Sequence, residues 1–309
     1  MSETIEFEHA IGLNINTKNG LLYHNNGENY IYSCGGNILV ADLTNPNSQE
    51  FFRKHDDQIT CLRLSPSGNL LASGQLGENS NVYVWDFNSK KVILTLEEHD
   101  HMVQCLDFSH DEKLLVTIGS PEDNKLLIWD LSNGCIVGLH NKMPMGTVAV
   151  SFGGFVKDIK KRPTENYILC SGGKEGLLVW HLNPYNGDLL PIKLATDPRA
   201  SISRYVTDLT FSVDQEYIFA STTSGYILIN YSQIIERCLL YFLYDIGDYM
   251  VANIRYQRVT HTIAATKIGL GCIAAFPDGV IVGGGDSYVK VFGFEGNLMG
   301  QVALNGNSF

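Results

Sequence analysis

Two histidines occupy corresponding positions in two matched stretches of the chain, and each is accompanied by residue types that enzymes use. The stretch from His55 to Asp86 is repeated without a gap from His99 to Asp130. Each copy contains a histidine, a hydroxyl-bearing residue and a closing aspartate, which can act as base, nucleophile and carboxylate when a fold brings them together. Each histidine is therefore a candidate base or metal ligand.

A structural role for these residues explains the pattern better. The sequence contains no nucleophile elbow, no His-Glu-x-x-His motif and no phosphate-binding loop. Asp86 and Asp130 stand at equivalent places in the two copies, so we expect them to end corresponding strands and not to form a catalytic carboxylate pair. The glycine runs at 172–173 and 283–285 lie between predicted strands, where they suit turns. We predict that the chain is not an enzyme and has no catalytic residue, cofactor or metal.

The repeat has the period of a propeller blade. Trp85 and Trp129 are 44 residues apart, and one four-stranded blade takes about 40 to 45 residues. Apolar residues alternate with polar ones in short runs that end at turn residues, which indicates strands. We predict an all-β propeller in a single domain, residues 1–309, with about six recognisable blades at residues 20–53, 54–97, 98–141, 147–195, 204–245 and 268–305.

The ends of the chain and one internal segment depart from the repeat. Seven blades is a common ring size, so the sequence predicts an incomplete or half-length ring. We expect either that Ile5 to Gly12 closes it by joining the last blade, or that a neighbouring protein covers the gap. Residues 231–265 form an irregular insertion, in which we place an outer strand at Leu239 to Phe242 and a partner-facing loop at Asp245 to Arg258.

Composition limits the class of partner and the compartment. Hydrophobic residues make up 44% of the 309 residues, enough for a buried core, and the net charge is −11. This charge argues against nonspecific binding of nucleic acid or of an anionic membrane. The N-terminus has no apolar signal region and no run approaches 18 apolar residues, so we expect a soluble intracellular protein. Dispersed cysteines without a CxxC pair indicate buried thiols in a reducing compartment; they are residues 34, 61, 105, 135, 170, 238 and 272.

At the His, Ser/Thr and Trp-Asp positions the sequence resembles the WD40 repeat family of β-propellers. The resemblance implies a buried hydrogen-bond network in each blade, made by an entry histidine, a hydroxyl residue of the second strand, a loop aspartate and the tryptophan. The loop aspartate corresponds to Asp123 in the third blade and to Asn79 or Asn81 in the second. The other matching residues are His55, Ser73, Trp85 and Asp86 in the second blade, His99, Thr117, Trp129 and Asp130 in the third, and Trp180 in the fourth.

A closer resemblance covers most of the chain. The ASGQ after the second strand of one blade and the IGSPEDN loop of the next are similar to the N-terminal propeller of a family of cilia- and flagella-associated WD-repeat proteins with two propellers. It implies a structural protein of ciliary doublet microtubules, located in the axoneme, that binds tubulin and inner-junction neighbours on the lumenal side and no small-molecule substrate. A generic cytosolic WD40 adaptor for complex assembly is the alternative.

One basic cluster stands out from the acidic balance. Lys157, Lys160, Lys161 and Arg162 fall within six residues of one another. The cluster is either a solvated connection between two strands or a loop that binds an acidic protein surface such as tubulin. Together with the long loops at 75–81 and 119–124 and the insertion at 231–265, it is a candidate for partner binding.

Overall fold

The computed structural model describes residues 9–45, 47–157, 162–193, 205–215, 217–224, 226–231, 261–294 and 296–304. Across these ranges the chain is built from strands, and no helix there is long and apolar enough to span a bilayer. The chain forms two compact units, Met1–Ile136 and Val137–Phe309. The described strands form six antiparallel sheets of four, the propeller arrangement of small sheets that the repeat period predicts. The predicted all-β fold class is confirmed.

The first unit holds the sheets of the first three blades, and the last strand of the third continues into the second unit. In each sheet the strands pair in chain order, so every sheet is a meander. The strands are β1 (Leu21–Tyr23), β2 (Asn29–Cys34), β3 (Asn37–Asp42) and β4 (Gln49–Arg53) in the first sheet; β5 (Ile59–Leu64), β6 (Leu70–Gln75), β7 (Ser80–Asp86) and β8 (Lys91–His99) in the second; β9 (Val103–Phe108), β10 (Leu114–Gly119), β11 (Leu126–Asp130) and β12 (Ile136–His140) in the third.

The second unit holds the remaining three meanders. The first two strands of its first sheet have 11 residues each, nearly twice the length of most others. The strands are β13 (Thr147–Lys157), β14 (Pro163–Gly173), β15 (Gly176–Leu182) and β16 (Leu189–Lys193); β17 (Val206–Phe211), β18 (Tyr217–Thr222), β19 (Tyr226–Tyr231) and β20 (His261–Ala264); β21 (Leu270–Phe276), β22 (Gly279–Gly284), β23 (Tyr288–Gly293) and β24 (Leu298–Ala303).

The hydrophobic core of the first unit lies between consecutive sheets. Both faces of a central strand such as β6 or β10 are buried, so these strands contain almost continuous runs of apolar and small residues. One cluster joins the first and second sheets, where Phe52 packs edge-on against Trp85 with ring centroids 5.4 Å apart. A second cluster, which contains Trp129, joins the second and third sheets. Burial of these aromatic rings on both sides of the second sheet fixes its position.

Glycine sets how closely neighbouring sheets approach. A Cβ added to Gly74 of β6 would lie 2.6 Å from the Cβ of Val103, which is far inside van der Waals contact. The same arrangement recurs in the second unit, where a Cβ on Gly172 would lie 2.6 Å from Cγ1 of Val206. In both cases a valine that opens the first strand of one sheet packs onto a glycine near the end of the second strand of the sheet before it.

The predicted segments at the N-terminus and in the 231–265 insertion differ from the described structure or lie outside it. The fourth strand of the fifth sheet is β20, near the end of the 231–265 segment, and the segments Leu239 to Phe242 and Asp245 to Arg258 lie outside the described residues. Residues 5–8 of the predicted strand Ile5 to Gly12 also lie outside them, and residues 9–12 are not in a strand. Ala10 is instead held by Gln49, which accepts from its N–H at 2.8 Å and donates to its carbonyl at 3.1 Å.

Candidate functional site

The second sheet brings together the three residues expected to form its network. His55 lies just before β5, Ser73 lies in β6 and Trp85 in β7. The indole N–H of Trp85 donates to Oγ of Ser73 at 2.8 Å. Oγ of Ser73 is in turn 2.6 Å from Nε2 of His55. Because Ser73 and Trp85 are fully buried, these bonds satisfy polar atoms that water cannot reach.

The loop partner expected for His55 is replaced by a residue of the strand. Nδ1 of His55 lies 2.7 Å from Oε1 of Gln75, the last residue of β6, and Nε2 of Gln75 donates to Oδ1 of Asp56 at 2.6 Å. Of the two residues considered from sequence, Asn79 has a left-handed backbone and donates its N–H to the carbonyl of Asp100. Asn81 donates to the hydroxyl of Tyr83 at 3.3 Å. An amide therefore stands where the third blade has a carboxylate.

The third sheet repeats the network with that carboxylate in place. Trp129 donates to Oγ1 of Thr117 at 2.9 Å, and Oγ1 of Thr117 lies 2.7 Å from Nε2 of His99. Nδ1 of His99 makes a short contact with Oδ2 of Asp123. The other carboxylate oxygen of Asp123 accepts from the N–H of Asp100 at 2.9 Å. The side chains of both His99 and Asp123 are fully buried.

The two histidines differ in their electrostatic surroundings. Burial lowers the pKa of His55 to about 4, because the hydrogen bond to Gln75 and the charge of Asp56 offset only part of the desolvation. Burial raises the pKa of the Asp123 carboxyl, but the hydrogen bonds from His99 and from the Asp100 N–H outweigh burial and bring it below its ordinary value. A neutral imidazole in the second sheet thus corresponds to an imidazole facing a buried carboxylate in the third.

The hydroxyl, imidazole and carboxylate of the third sheet stand in the order of a catalytic triad, but they are sealed inside the protein. Thr117 is 0% and His99 1% exposed. The Thr117 oxygen is already bonded to both Trp129 and His99, so it has no open side for a substrate. This geometry indicates a structural role for the three side chains and argues against nucleophilic catalysis. Within the described ranges, no group of three or more His, Cys, Asp or Glu side chains could hold a metal ion.

Asp86 and Asp130 lie away from the histidines, at the other end of their sheets. Oδ1 of Asp86 accepts from the N–H of Ser89 at 2.6 Å, and Oδ1 of Asp130 accepts from the N–H of Ser132 at 2.8 Å. Hydrogen bonds from Ser89 lower the pKa of Asp86. The two carboxylates each close a turn at the end of a third strand, as turn-forming aspartates commonly do.

The fourth sheet keeps only part of the network. Trp180 donates to Oγ of Ser171 at 2.9 Å, and the ring of His140 packs edge-on against it with centroids 4.9 Å apart. His181 follows the tryptophan and is buried, and in this part of the described chain its Nε2 has no hydrogen-bond partner. Burial lowers the pKa of His181 to about 4. Sequence reasoning found Trp180 but missed Ser171, which holds its N–H.

Polar contacts join the second and third sheets into one block. The Nε of Arg63 donates to Oδ1 of Asp107 at 2.7 Å. On the adjoining turns, Glu112 accepts from the N–H of Ser67 and, at 2.9 Å, from its hydroxyl. On the innermost strand, the Thr60 hydroxyl donates to a carbonyl of β9 at 2.6 Å. The two matched repeats therefore form a rigid platform for the loops above them.

A polar groove of about 420 Å³ opens beside the His99 loop, and its position makes it a candidate contact surface. Lys125 donates to two residues of its lining, to the carbonyl of Glu98 and to the Asp100 carboxylate, both at 2.8 Å. The long loops at 75–81 and 119–124 border this region. The lining residues are Asn79, Asn81, Glu97, Glu98, His99 and Asp100.

Two residues of the basic cluster, Lys157 and Arg162, lie at the end of the long β13–β14 hairpin. Lys157 pairs with Pro163 at the last register position, so Lys157 and Arg162 lie at the same end; Lys160 and Lys161 lie outside the described residues. The next strand, β15, pairs with β14 only as far as Tyr167. The hairpin therefore extends beyond its sheet, and its base is packed by the rings of Phe155 and Tyr167, whose centroids are 4.9 Å apart.

Comparison with known proteins agrees with this architecture. The family model described as WD domain, G-beta repeat, matches residues 46–86 and 90–130. Along 295 residues, or 94% of its length, the chain is 29% identical to cilia- and flagella-associated protein 52 of Chlamydomonas reinhardtii. The mouse protein of the same name is 33% identical over 95 residues, 30% of the chain.

The matched relatives are longer proteins, and some matches cover only a small part of the chain. The chain spans 43% of the Chlamydomonas protein, less than half of its length. A shorter match, 30% identical over 71 residues and 23% of the chain, is to the 66 kDa stress protein of Physarum polycephalum, 12% of which is covered. The long match follows the chain through both compact units, whereas the short one covers 71 residues.

Proposed function

We propose that this chain, a WD40-repeat β-propeller that resembles cilia- and flagella-associated protein 52, is a structural scaffold of the cilium or flagellum. The observation that carries the proposal is the similarity to the Chlamydomonas protein along 94% of the chain. This similarity extends far beyond the two repeats, which many unrelated adaptors share.

The proposed mechanism is binding without turnover. The buried histidine networks and the ties between the second and third sheets hold the loops in fixed positions. A preorganised surface loses little conformational entropy when it binds, which favours a stable lattice contact. In this view the groove beside His99 and the basic hairpin are separate contact points for different neighbours.

The specific partners form the finer part of the proposal. We assign the scaffold to axonemal doublet microtubules, where it binds tubulin and inner-junction neighbours on the lumenal side. The basic cluster supports this assignment, because a chain of net charge −11 has four cations within six residues there, which suits an acidic protein surface. Electrostatic complementarity of this kind chiefly speeds encounter and fixes orientation.

Co-sedimentation with microtubules and with salt-stripped axonemes tests the proposal. The full chain should sediment with them at low salt, and reversing Lys157, Lys160, Lys161 and Arg162 to glutamate should weaken binding at least tenfold. The matched control reverses the same number of charges at exposed lysines elsewhere, namely Lys54, Lys91, Lys113 and Lys174, and should retain binding. Equal loss in both variants would mean that net charge, and not the hairpin, governs the interaction.

A cytosolic WD40 adaptor for complex assembly is the alternative function. The short match to the Physarum stress protein favours it, because this relative has no ciliary name. A tagged full-length chain expressed in ciliated cells separates the two functions. Enrichment in axonemes supports the scaffold, whereas a diffuse cytosolic signal with soluble partners supports the adaptor.

A further inference from the structure

The network of the second sheet is a hydrogen-bond chain with a fixed direction. At one end Trp85 donates to Ser73 at 2.8 Å, and at the other end Gln75 donates to Asp56 at 2.6 Å. A carboxylate only accepts, so the Gln75 amide directs its NH₂ at Asp56 and its oxygen, which also only accepts, at Nδ1 of His55. The indole N–H only donates, so among the described residues Nε2 of His55 is the remaining partner for the single proton of Ser73. Ser73 donates its proton to Nε2 of His55, and Nδ1–H of His55 donates to Gln75. His55 must therefore be neutral, with its proton on Nδ1.

A second proton on His55 is incompatible with this hydrogen-bond network. Nε2 would become a donor and would face the Ser73 oxygen, which already accepts from Trp85. The Ser73 hydroxyl would then lose its acceptor, and Ser73 is 0% exposed, so water cannot replace it. A buried hydroxyl without an acceptor carries a desolvation penalty. The histidine can relieve the conflict only by leaving its position.

The surroundings of His55 provide little compensation for a positive charge. The uncharged Ser73 and Gln75 face it from β6, and Tyr83 faces it from β7 with ring centroids 4.6 Å apart. The charged groups are its own chain neighbours, Lys54 and Asp56. The Asp56 carboxylate reaches the imidazole only through the Gln75 amide and is exposed, so solvent screens it.

We propose that the second blade contains an acid-sensitive release, in which a second proton on His55 detaches the loop 54–58 from the second sheet. The loop is held by the N–H of Leu76, which donates to the carbonyl of Gln58 at 2.8 Å. Its carbonyls at His55 and Asp57 lie against Gly36 in the first sheet. Release would therefore alter the surface formed by the turns of both sheets and any partner contact made there.

The third blade has a corresponding histidine loop, which should stay attached when the pH falls. His99 has the same hydroxyl and indole partners, but its Nδ1 faces the buried carboxylate of Asp123 directly. This negative charge can balance an imidazolium, which an amide oxygen cannot. Its loop is held by the N–H of Ser120, which donates to the carbonyl of Met102 at 2.8 Å. The two amides, Leu76 and Ser120, thus report on the two loops in one molecule.

Amide hydrogen exchange of the full chain between pH 7.5 and pH 5, corrected for the intrinsic pH dependence of exchange, tests the release. The pKa of His55 is about 4 in the attached loop and returns to about 6.5 on release, so the open population should increase about 30-fold at pH 5. Exchange at Leu76 should accelerate by that factor while exchange at Ser120 does not. Equal protection of the two amides down to pH 5 would refute the proposal.

A carboxylate placed beside His55 should abolish the effect. The double variant Gln75→Glu with Asp56→Asn keeps the shape of both side chains and exchanges which one carries the charge. It should show no more than a threefold change at Leu76 over the same pH range. Asp56→Asn alone is the control and should retain the release, because His55 still faces an amide. If the double variant releases its loop as the wild type does, the missing carboxylate is not the cause, and the proposal fails.

Discussion

The networks of the second and third sheets each contain a histidine with an indole and a hydroxyl partner, yet they differ in the group that lies at Nδ1 of the imidazole. In the third sheet it is the carboxylate of Asp123, which comes from the loop; in the second it is the amide of Gln75, which comes from the strand. The number of hydrogen bonds is similar, but the charge is not. The comparison separates the geometric role of such a network, which an amide fulfils, from its electrostatic role, which requires a carboxylate.

Removing the side chain that accepts from Nδ1 of each histidine should have the largest effect on stability. The loss should be greater in the third sheet than in the second. Asp123→Ala leaves Nδ1 of His99 and the N–H of Asp100 without partners inside the protein. Each buried donor left without an acceptor costs about 1 to 3 kcal/mol, so the free energy of unfolding should fall by about 2 to 6 kcal/mol. Gln75→Ala removes an acceptor that is buried but uncharged and should lower it by about 1 to 2 kcal/mol. Urea denaturation of the two variants measures both values, and equal losses would contradict a charge-based distinction.

Acidification should destabilise the chain through the second and fourth sheets before the third. The pKa of His55 and that of His181 are both lowered to about 4, so between about pH 6.5 and 4 the unfolded chain binds more protons than the folded one. Stability therefore falls as the pH decreases through this window, by about 2 kcal/mol per histidine at pH 5. Asp123, whose pKa is lowered, contributes stability that is lost only below its ordinary pKa.

Urea midpoints at pH 7 and pH 5 measure this loss. Replacing His181 with glutamine should remove about half of it and leave the His55 part. A pH dependence that is unchanged in this variant would assign the whole effect to other groups.

Loss of the hydroxyl group of Ser73 or Thr117 should have the smallest effect on stability. The loss should be nearly equal in the two sheets. Ser73→Ala and Thr117→Val both remove the oxygen between an indole N–H and an imidazole nitrogen. Each should lower the free energy of unfolding by about 1 to 2 kcal/mol, because the same two groups lose a partner. Thermal denaturation of the paired variants checks the match. A difference above 1 kcal/mol would show that the two networks also differ in their packing.

The features that could be predicted from sequence are those carried by local pattern. The repeat period and the alternation of apolar residues predict the four-stranded sheets, and the positions of His55, Ser73 and Trp85 suffice to place them in one network. Gln75 was not identified because nothing local distinguishes a glutamine at the end of a strand that turns inward from one that faces water. It reaches His55 only because the following loop supplies no carboxylate at that point.

Long-range pairing accounts for most of what the sequence could not predict. The fourth strand of the fifth sheet, β20, pairs with β19 across some thirty intervening residues, so its four residues carry too little pattern to be assigned alone. The length of the β13–β14 hairpin is set by ring packing at Phe155 and Tyr167, where the register shifts twice. Bulges of this kind depend on tertiary contacts, and the strand pattern does not record them.

The glycine at the interface of neighbouring sheets limits how these repeats can be engineered. Gly74 and Gly172 each leave room for a valine of the next sheet, and one added carbon would lie 2.6 Å from it. Alanine at either position would act as a wedge that tilts one sheet away from the next. A designed array of such repeats would therefore have to copy the glycine and the valine as a unit, because the angle between modules depends on a side chain that is a single hydrogen atom.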